Sequence, residues 1–362
     1  MRRRNQWLLA AAVLLALAAY LMSRQGQAPD ASPRAQVEFP RRLRAPEFQR
    51  MEKRKTLPPL PSAALASAQE TRRRDPLISA LPGNNGGTVL VIEANAIRHS
   101  PIGELLVQCF AARGRGDPVA QFQEQTGIDL LKDLDRIAIT EKGMIVSGSF
   151  QNARWDKTFG EARASSYGEQ GAIYSPAPHS LPDGGQAEPM MGIWNGQLII
   201  IGENGDDVRS AVDRVEGRAP VRAPALPEES SYGEIYGVIS AEQLAPLISG
   251  NDLALAERLR RVAERIEIHV DTRKDVALAA HVSGRDAAAV SDLGKSLGAM
   301  LSLARLHPEV RQNPDLAELL DLARIEPGDG HFDLELALPM EFLEKQLASC
   351  RGENPARAVS VP

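Results

Sequence analysis

The chain has 362 residues, of which 25% are charged and 4% are aromatic, and its formal net charge is −5. Residues 1–75 contain 15 Lys and Arg against 6 Asp and Glu and so carry +9, which leaves −14 for residues 76–362. Nucleic-acid binding needs a basic face on the folded part, so this balance argues against a nucleic-acid role.

The two cysteines, Cys109 and Cys350, are too few for a disulfide framework. An exported location would permit a bond between them. Cys109 lies on the apolar side of a predicted helix, which favours a buried thiol instead. Both alternatives stay open from the sequence.

Residues 7–22 form an unbroken apolar run, WLLAAAVLLALAAYLM, behind three arginines. The run is slightly shorter than a usual transmembrane helix of roughly 17–25 residues. A cleaved signal peptide is the alternative, but Pro29 follows the best small-x-small site, Gly26-Gln27-Ala28, and disfavours cleavage. The leading arginines predict a cytoplasmic N-terminus. We therefore expect residues 1–22 to be a cytoplasmic tip and a signal anchor, giving a single-pass inner-membrane protein whose remainder is periplasmic if the cell is bacterial.

Residues 23–86 are predicted to be a disordered, basic linker. Nine prolines in this range block regular helix or sheet. A chain of this composition cannot bury enough apolar surface to offset the entropy of ordering it. A solvated tether is the simpler interpretation, and a contact with anionic lipid head groups or an acidic envelope polymer is the alternative. Three basic clusters would make that contact: Arg41-Arg42-Arg44, Lys53-Arg54-Lys55 and Arg72-Arg73-Arg74.

Residues 87–217 are predicted to form a first α+β half that begins with a buried strand, Thr88–Ile92. Ser100-Pro101 and Asp117-Pro118 are typical helix starts. Residues 134–150 and 190–201 are predicted to form two hairpins. Between them we expect a helix at 155–164, a strand at 172–174 and an exposed loop at 176–189. A final helix should be capped by Asp206 and end at Gly217.

Asn195-Gly196 lies between two apolar runs in the second of these hairpins. Both central residues of a type I′ turn need positive φ, which Asn and Gly tolerate best. The dipeptide therefore predicts a type I′ hairpin turn.

A connector, residues 218–231, separates this half from a second α+β half, residues 232–350, and residues 351–362 are predicted to be a disordered tail. Glu264-Arg265-Ile266-Glu267-Ile268 repeats the pattern of Asp135-Arg136-Ile137-Ala138-Ile139, and each half begins strand, helix, helix, hairpin. We therefore predict an internal duplication. Alternating helices and hairpins indicate an α+β class with mainly antiparallel sheets, in a ferredoxin-like style.

His269 and His281 are the closest histidine pair, on the two strands of one predicted hairpin. If Val270 faces Val276, the two imidazoles lie about four residues apart along the ladder, or roughly 13 Å. One metal ion cannot bridge that distance, so we predict no metal site.

Other chemical motifs are equally weak. The chain has no serine-hydrolase elbow, no phosphate-binding loop and no zinc-protease motif, and Ser147 lies within a predicted strand. Nothing in the sequence brings chosen carboxylates together, and turn or cap roles explain them. We predict no catalytic, cofactor-binding or metal residues and no enzyme. The carboxylates considered are Asp129, Asp133 and Asp135; Asp206 and Asp207; and Glu228 and Glu229.

Three short stretches resemble a loose class of uncharacterised bacterial envelope-anchored proteins with repeated α+β units. They are Ser100-Pro101-Ile102-Gly103, residues 126–135, and Leu198 to Gly202 followed by Val208 to Arg214. The resemblance covers about residues 87–350 and implies an exported, non-enzymatic protein. It implies no functional residues.

These observations lead to a membrane-anchored interaction or scaffold module with a protein partner in the envelope, as in a secretion or envelope assembly. The alternatives are an envelope hydrolase with an unrecognised site and a carrier of lipid or another small ligand. A hydrolase requires convergent Asp, Glu or His side chains in a cleft. A carrier requires a cavity between sheet and helices.

Overall fold

The structure is a computed structural model that describes residues 37–60, 73–83, 87–112, 118–155, 163–175, 190–220, 223–248 and 253–347. The predicted anchor, the loop 176–189, Cys350 and the tail 351–362 lie outside these residues. Within them, no helix has both the length and the apolar character that a membrane span requires.

Helices and strands are interspersed along the chain in the described residues. The helices are α1 (Ala45–Arg54), α2 (Pro76–Ala80), α3 (Ala94–Arg98), α4 (Pro101–Ala112), α5 (Pro118–Thr126), α6 (Gly205–Val215), α7 (Ala241–Ile248), α8 (Leu253–Val262), α9 (Ala287–Leu306), α10 (Pro308–Gln312), α11 (Pro314–Asp321) and α12 (Met340–Leu347). The strands are β1 (Val89–Ile92), β2 (Leu134–Thr140), β3 (Gly143–Gly148), β4 (Arg163–Tyr167), β5 (Gly171–Ser175), β6 (Met190–Trp194), β7 (Leu198–Gly202), β8 (Ile235–Ser240), β9 (Arg265–Asp271), β10 (Val276–Ser283), β11 (Arg324–Pro327) and β12 (His331–Leu338).

The described residues divide into two compact units. The first unit comprises residues within 42–99 and 114–238, and its strands follow the order β8-β1-β2-β3-β7-β6-β5-β4. The second unit comprises residues within 37–41, 100–113 and 239–347, and its strands follow the order β11-β12-β10-β9. Neighbouring strands within each unit pair antiparallel. The α+β class with mainly antiparallel sheets is therefore confirmed.

The core of the first unit lies between one face of its sheet and two helices, α2 and α6. Leu77 and Ala80 of α2 and Val208 and Val212 of α6 are fully buried with strand residues such as Ile200. Arg214 of α6 also donates two hydrogen bonds to the carbonyl oxygen of Ala80, at 2.9 and 2.7 Å. These contacts join the two helices above the sheet.

The second unit packs α9 on one face of its four-stranded sheet. Val290 and Leu293 of α9 are buried against Phe332, Val282 and other sheet residues. A side chain at Gly294 would come within 2.7 Å of the Phe332 Cβ, so glycine lets the helix approach the strand closely. In the same unit, Cys109 of α4 is buried near Leu347 of α12, in agreement with the predicted buried thiol.

Local turn chemistry agrees with the structure at several points. Asn195 and Gly196 have φ values of 50° and 60°, which confirms the type I′ turn. Trp194 pairs with Leu198, so the hairpin loop contains three residues, 195–197. The Ser100 hydroxyl accepts a hydrogen bond from the Gly103 amide at 3.3 Å, as expected of a helix N-cap. Gly217 follows α6 with a φ of 74°, as predicted for a helix end.

The prediction of a disordered linker over residues 23–86 is wrong for the described residues 37–60 and 73–83. They contain α1 and α2, and Leu77 and Ala80 are fully buried. Pro46 and Pro76 lie in the first turns of these helices, where proline is well tolerated. The proline-rich, basic composition of this segment predicted disorder, but short helices are stabilised by tertiary packing and capping rather than by intrinsic helix propensity.

Three other expectations need correction. Residues 163 and 164, predicted to end a helix, belong to strand β4. Asn204 caps α6, because its side chain accepts from the Asp206 and Asp207 amides, both at 3.0 Å, and Asp206 lies in the first turn. The connector 218–231 is also partly packed, since Ala225 and Leu226 are buried.

The turn between β4 and β5 is held by a carboxylate at the end of α6. The amide of Glu169 donates to both carboxylate oxygens of Glu216, at 3.1 and 3.0 Å, and the amide of Gln170 donates at 3.1 Å. The Trp194 indole nitrogen donates to the same carboxylate at 3.1 Å. Burial alone would raise the pKa of Glu216, but these backbone donors, together with Trp194 and Arg218, lower it below its usual value.

We expect Glu216→Gln to lower the free energy of unfolding at pH 7 by about 1–2 kcal/mol, because charge-assisted hydrogen bonds are lost at a partly exposed site. Because the pKa of Glu216 is lower in the folded state, its ionised carboxylate contributes its full stabilisation at pH values above the unfolded-state pKa of 4.5. This contribution is lost as the pH falls through the folded-state pKa. Urea unfolding between pH 7 and pH 3 should therefore show a smaller loss of stability for Glu216→Gln than for the wild type. Exposed Glu203→Gln is the control, and equal pH dependence in wild type and Glu216→Gln would contradict this account.

Candidate functional site

A buried ionic network occupies one end of the first unit's sheet. Arg136 of β2 is 4% exposed and forms a bidentate pair with Asp75, with nitrogen–oxygen distances of 2.8 and 2.9 Å. Asp75 also caps α2 by accepting from the Leu77 amide at 2.9 Å. Burial alone would lower the pKa of Arg136, but the charge and hydrogen bonds of Asp75 raise it, so the guanidinium stays protonated.

Arg54 of α1 extends the network towards solvent. Its guanidinium donates to Glu93 at 3.0 Å and to Asp135 at 2.7 Å. Tyr236 of β8 donates its hydroxyl to the same Glu93 oxygen at 3.0 Å. Burial and the charge of Glu93 raise the Tyr236 pKa, so the phenol stays neutral. Two cations and three carboxylates therefore pair with one another, with a formal net charge of −1.

The strand register explains why these side chains meet. The β1–β2 pairing places Val91 opposite Ala138. Two residues further along the ladder, on the same face of the sheet, Glu93 lies opposite Arg136. A register shift between Leu134 and Arg136 marks a bulge at Asp135. A bulge changes the direction of the side chain at its position, and the carboxylate of Asp135 lies 2.7 Å from the Arg54 guanidinium.

Two cavities adjoin the network. One has a volume of about 20 Å³ and is lined by Asp75, Glu93, Arg136 and Tyr236 among others, enough for about one water molecule. The second is an open cleft of about 440 Å³ that reaches from Lys53 to Gly196. The smaller cavity cannot hold a lipid.

Ser147 is the one nucleophile-type side chain in the cleft that is both buried and without a hydrogen-bond partner among the described residues. It lies directly opposite Arg136 on β3. A serine nucleophile needs a neighbouring base, and no described histidine lines this cleft. The lining carboxylates are engaged, since Asp135 pairs with Arg54 and Asp133 accepts from the Asp129 amide at 2.8 Å.

The structure places the other predicted carboxylates apart from this cleft or in turns. Asp129 accepts from the Leu131 amide at 3.0 Å. Asp206 pairs with Arg209 at 2.9 Å, and Asp207 accepts from the side chain of Asn204 at 2.8 Å. Glu228 pairs with Lys55.

The predicted register of the β9–β10 hairpin is wrong by two residues. Val270 faces Leu278 rather than Val276, so His281 faces Glu267 and His269 faces Ala279. His269 is buried and lies 3.2 Å from Glu267. The two histidines are thus about two residues apart along the ladder, half the predicted separation. His281 instead has His331 and Asp333 of β12 beside it, a grouping that sequence spacing did not indicate.

An exposed apolar stripe runs along the second half of α9. Met300, Leu303 and Leu306 are 51%, 68% and 71% exposed. Their spacing of three residues puts them on neighbouring positions of one helix surface. Val290 and Leu293, in the first half of α9, are buried on the sheet.

No protein-family model, curated protein or solved structure matches this chain. The resemblance to envelope-anchored proteins with repeated α+β units therefore stays a prediction.

We expect Asp75→Asn to destabilise the first unit by about 3–5 kcal/mol, because it leaves the buried Arg136 charge without its partner. Urea unfolding followed by circular dichroism measures the change. Asp206→Asn, at an exposed ion pair, is the matched control and should cost less than about 1 kcal/mol. A loss for Asp75→Asn no larger than that of the control would contradict a structural role for the pair.

Proposed function

We propose that this chain is a single-pass, membrane-anchored envelope protein that carries a non-catalytic interaction or scaffold module. In this proposal residues 7–22 are the anchor, the N-terminus is cytoplasmic and the folded units are periplasmic. The apolar run and the arginines before it support the topology. The partner is another envelope protein, as in a secretion or envelope assembly.

The apolar stripe of Met300, Leu303 and Leu306 is the observation that carries the proposal. Single exposed apolar residues are common, but a contiguous row of large ones marks an interaction surface in soluble domains. Helix α9 has 20 residues, and only its first half contributes buried core residues. The exposed side of the second half, at Met300, Leu303 and Leu306, is thus available for a partner.

The repeated order of strand, two helices and hairpin supports an internal duplication. It occurs as β1, α4, α5, β2–β3 and again as β8, α7, α8, β9–β10, apart from the short α3. Duplicated modules of this kind suit scaffolds because they present related surfaces twice.

A contact between the basic segment and an anionic surface is a weaker part of the proposal. Arg54 and Lys55 pair with carboxylates, and Arg74 donates to carbonyl oxygens. The contact would therefore rest on other cations such as the exposed Arg42 and Lys53.

The alternative function is an envelope hydrolase that uses the 440 Å³ cleft, and the buried Ser147 hydroxyl is the observation that favours it. Mutual pairing of the charged side chains around that cleft favours the interaction module instead. Cell fractionation with protease accessibility tests the topology that both functions require.

In-cell crosslinking from a benzophenone amino acid at Leu303 tests the partner surface. We expect a discrete crosslinked protein from position 303 and at least about tenfold less of it from position 295, because Lys295 lies on α9 outside the apolar stripe and is 63% exposed. Adding Met300→Glu should abolish the crosslink by placing a charge in the apolar contact. Equal labelling from both positions, or no labelled protein, would contradict the proposal.

A further inference from the structure

The outer face of the second unit's sheet carries a compact group of metal-binding side chains. His281 of β10 lies directly opposite Asp333 of β12, and His331 lies two residues before Asp333 on the same strand. Side chains alternate along a strand, so all three leave on one face. The intervening residues Val282 and Phe332 point into the core on the other face.

The three functional groups already lie close together. His281 Nδ1 is 2.8 Å from Asp333 Oδ1, and His331 Nε2 is 3.7 Å from Asp333 Oδ2. The two imidazole rings have centroids 4.7 Å apart. One ligand atom from each residue lies within 4.8 Å of the others. Ligand atoms of a tetrahedral zinc site, at about 2.0–2.1 Å from the ion, are roughly 3.4 Å apart.

A contraction of little more than 1 Å would therefore bring the set to bonding geometry. The side chains of His281, His331 and Asp333 are 46%, 36% and 47% exposed, so they retain room to rotate and a path for an ion from solvent. The backbone of β10 and β12 fixes their relative positions through eight paired residues. The side chains can therefore rotate towards an ion while the paired strands hold their Cα positions fixed.

The negative charge of Asp333 favours a cation at this group. Within the described residues, the ion pairs of Asp333 are with the two histidines and not with any Lys or Arg. Glu267 lies opposite His281 on the other neighbouring strand, and Glu326 lies opposite Asp333 on β11. A carboxylate thus flanks the group on both sides, and each is paired with an arginine, Glu267 with Arg265 and Glu326 with Arg324.

We propose that His281, His331 and Asp333 bind a divalent transition-metal ion of the zinc class. Two imidazoles and one carboxylate are the ligands of such ions, whereas calcium and magnesium prefer oxygen ligands alone. Three protein ligands leave at least one coordination position for water or for a group of a partner. The site is separate from the cleft of the first unit and from the apolar stripe.

Zinc binding to the purified full-length chain in detergent tests the site. Isothermal titration with Zn²⁺ should show one ion per chain at this site, and Co²⁺ should give the visible absorption of a four-coordinate ion. We expect His281→Gln and His331→Gln each to weaken Zn²⁺ binding by more than about tenfold. His307→Gln is the matched control, because His307 is an exposed histidine 3.9 Å from the Glu309 carboxylate and, among the residues that the structure describes, it belongs to no group that could hold a metal ion.

Asp333→Asn keeps the side-chain shape and separates loss of a ligand from loss of the fold, which circular dichroism of every variant checks. It should weaken binding while the thermal unfolding temperature changes little, since the side chain is on the solvent face. The proposal is overturned if the wild type binds no Zn²⁺ at about 0.1 mM. It is equally overturned if folded His281→Gln, His331→Gln and Asp333→Asn bind as tightly as the wild type and the His307→Gln control.

Discussion

The buried pair between Arg136 and Asp75 is the interaction on which the first unit depends. An arginine that is 4% exposed must find a matching charge, and Asp75 supplies both oxygens while it caps α2. This pair fastens residues 73–83 to the sheet, and α2 in turn packs on α6. Glu93 and Arg54 extend the same network to α1.

The ion pairs of the first unit also explain the uneven distribution of charge along the sequence. Lys55 pairs with Glu228, Arg54 with Glu93, and Arg74 donates to the last carbonyls of α6, where a cation is favourable. Basic residues from the N-terminal part are thus used to hold the acidic part together. A positive segment in a chain of this kind can be part of the fold rather than a tether or a lipid-binding arm.

Local chemistry could be predicted from the sequence, but long-range pairing could not. Asn195-Gly196 specified its hairpin because both residues need positive φ. A five-residue helix at Asp75-Pro76 has no periodic pattern, and the contacts that stabilise it come from residues distant in sequence, Arg136 and the core around Leu77. The grouping of His281, His331 and Asp333 could not be predicted because β10 and β12 are separated in sequence by three helices and a strand. The polar strand β4 lacked an apolar alternation to reveal it.

Hydrogen–deuterium exchange on the full-length chain tests the central claim most directly, because it reports whether the predicted linker is part of the folded unit. Amides that are hydrogen-bonded in residues 45–54 and 76–80, such as those of Phe48 and Ser79, should exchange at least about 100-fold more slowly than in an unfolded peptide. Exchange of both segments at the unfolded rate, while β2 and β3 remain protected, would contradict the account.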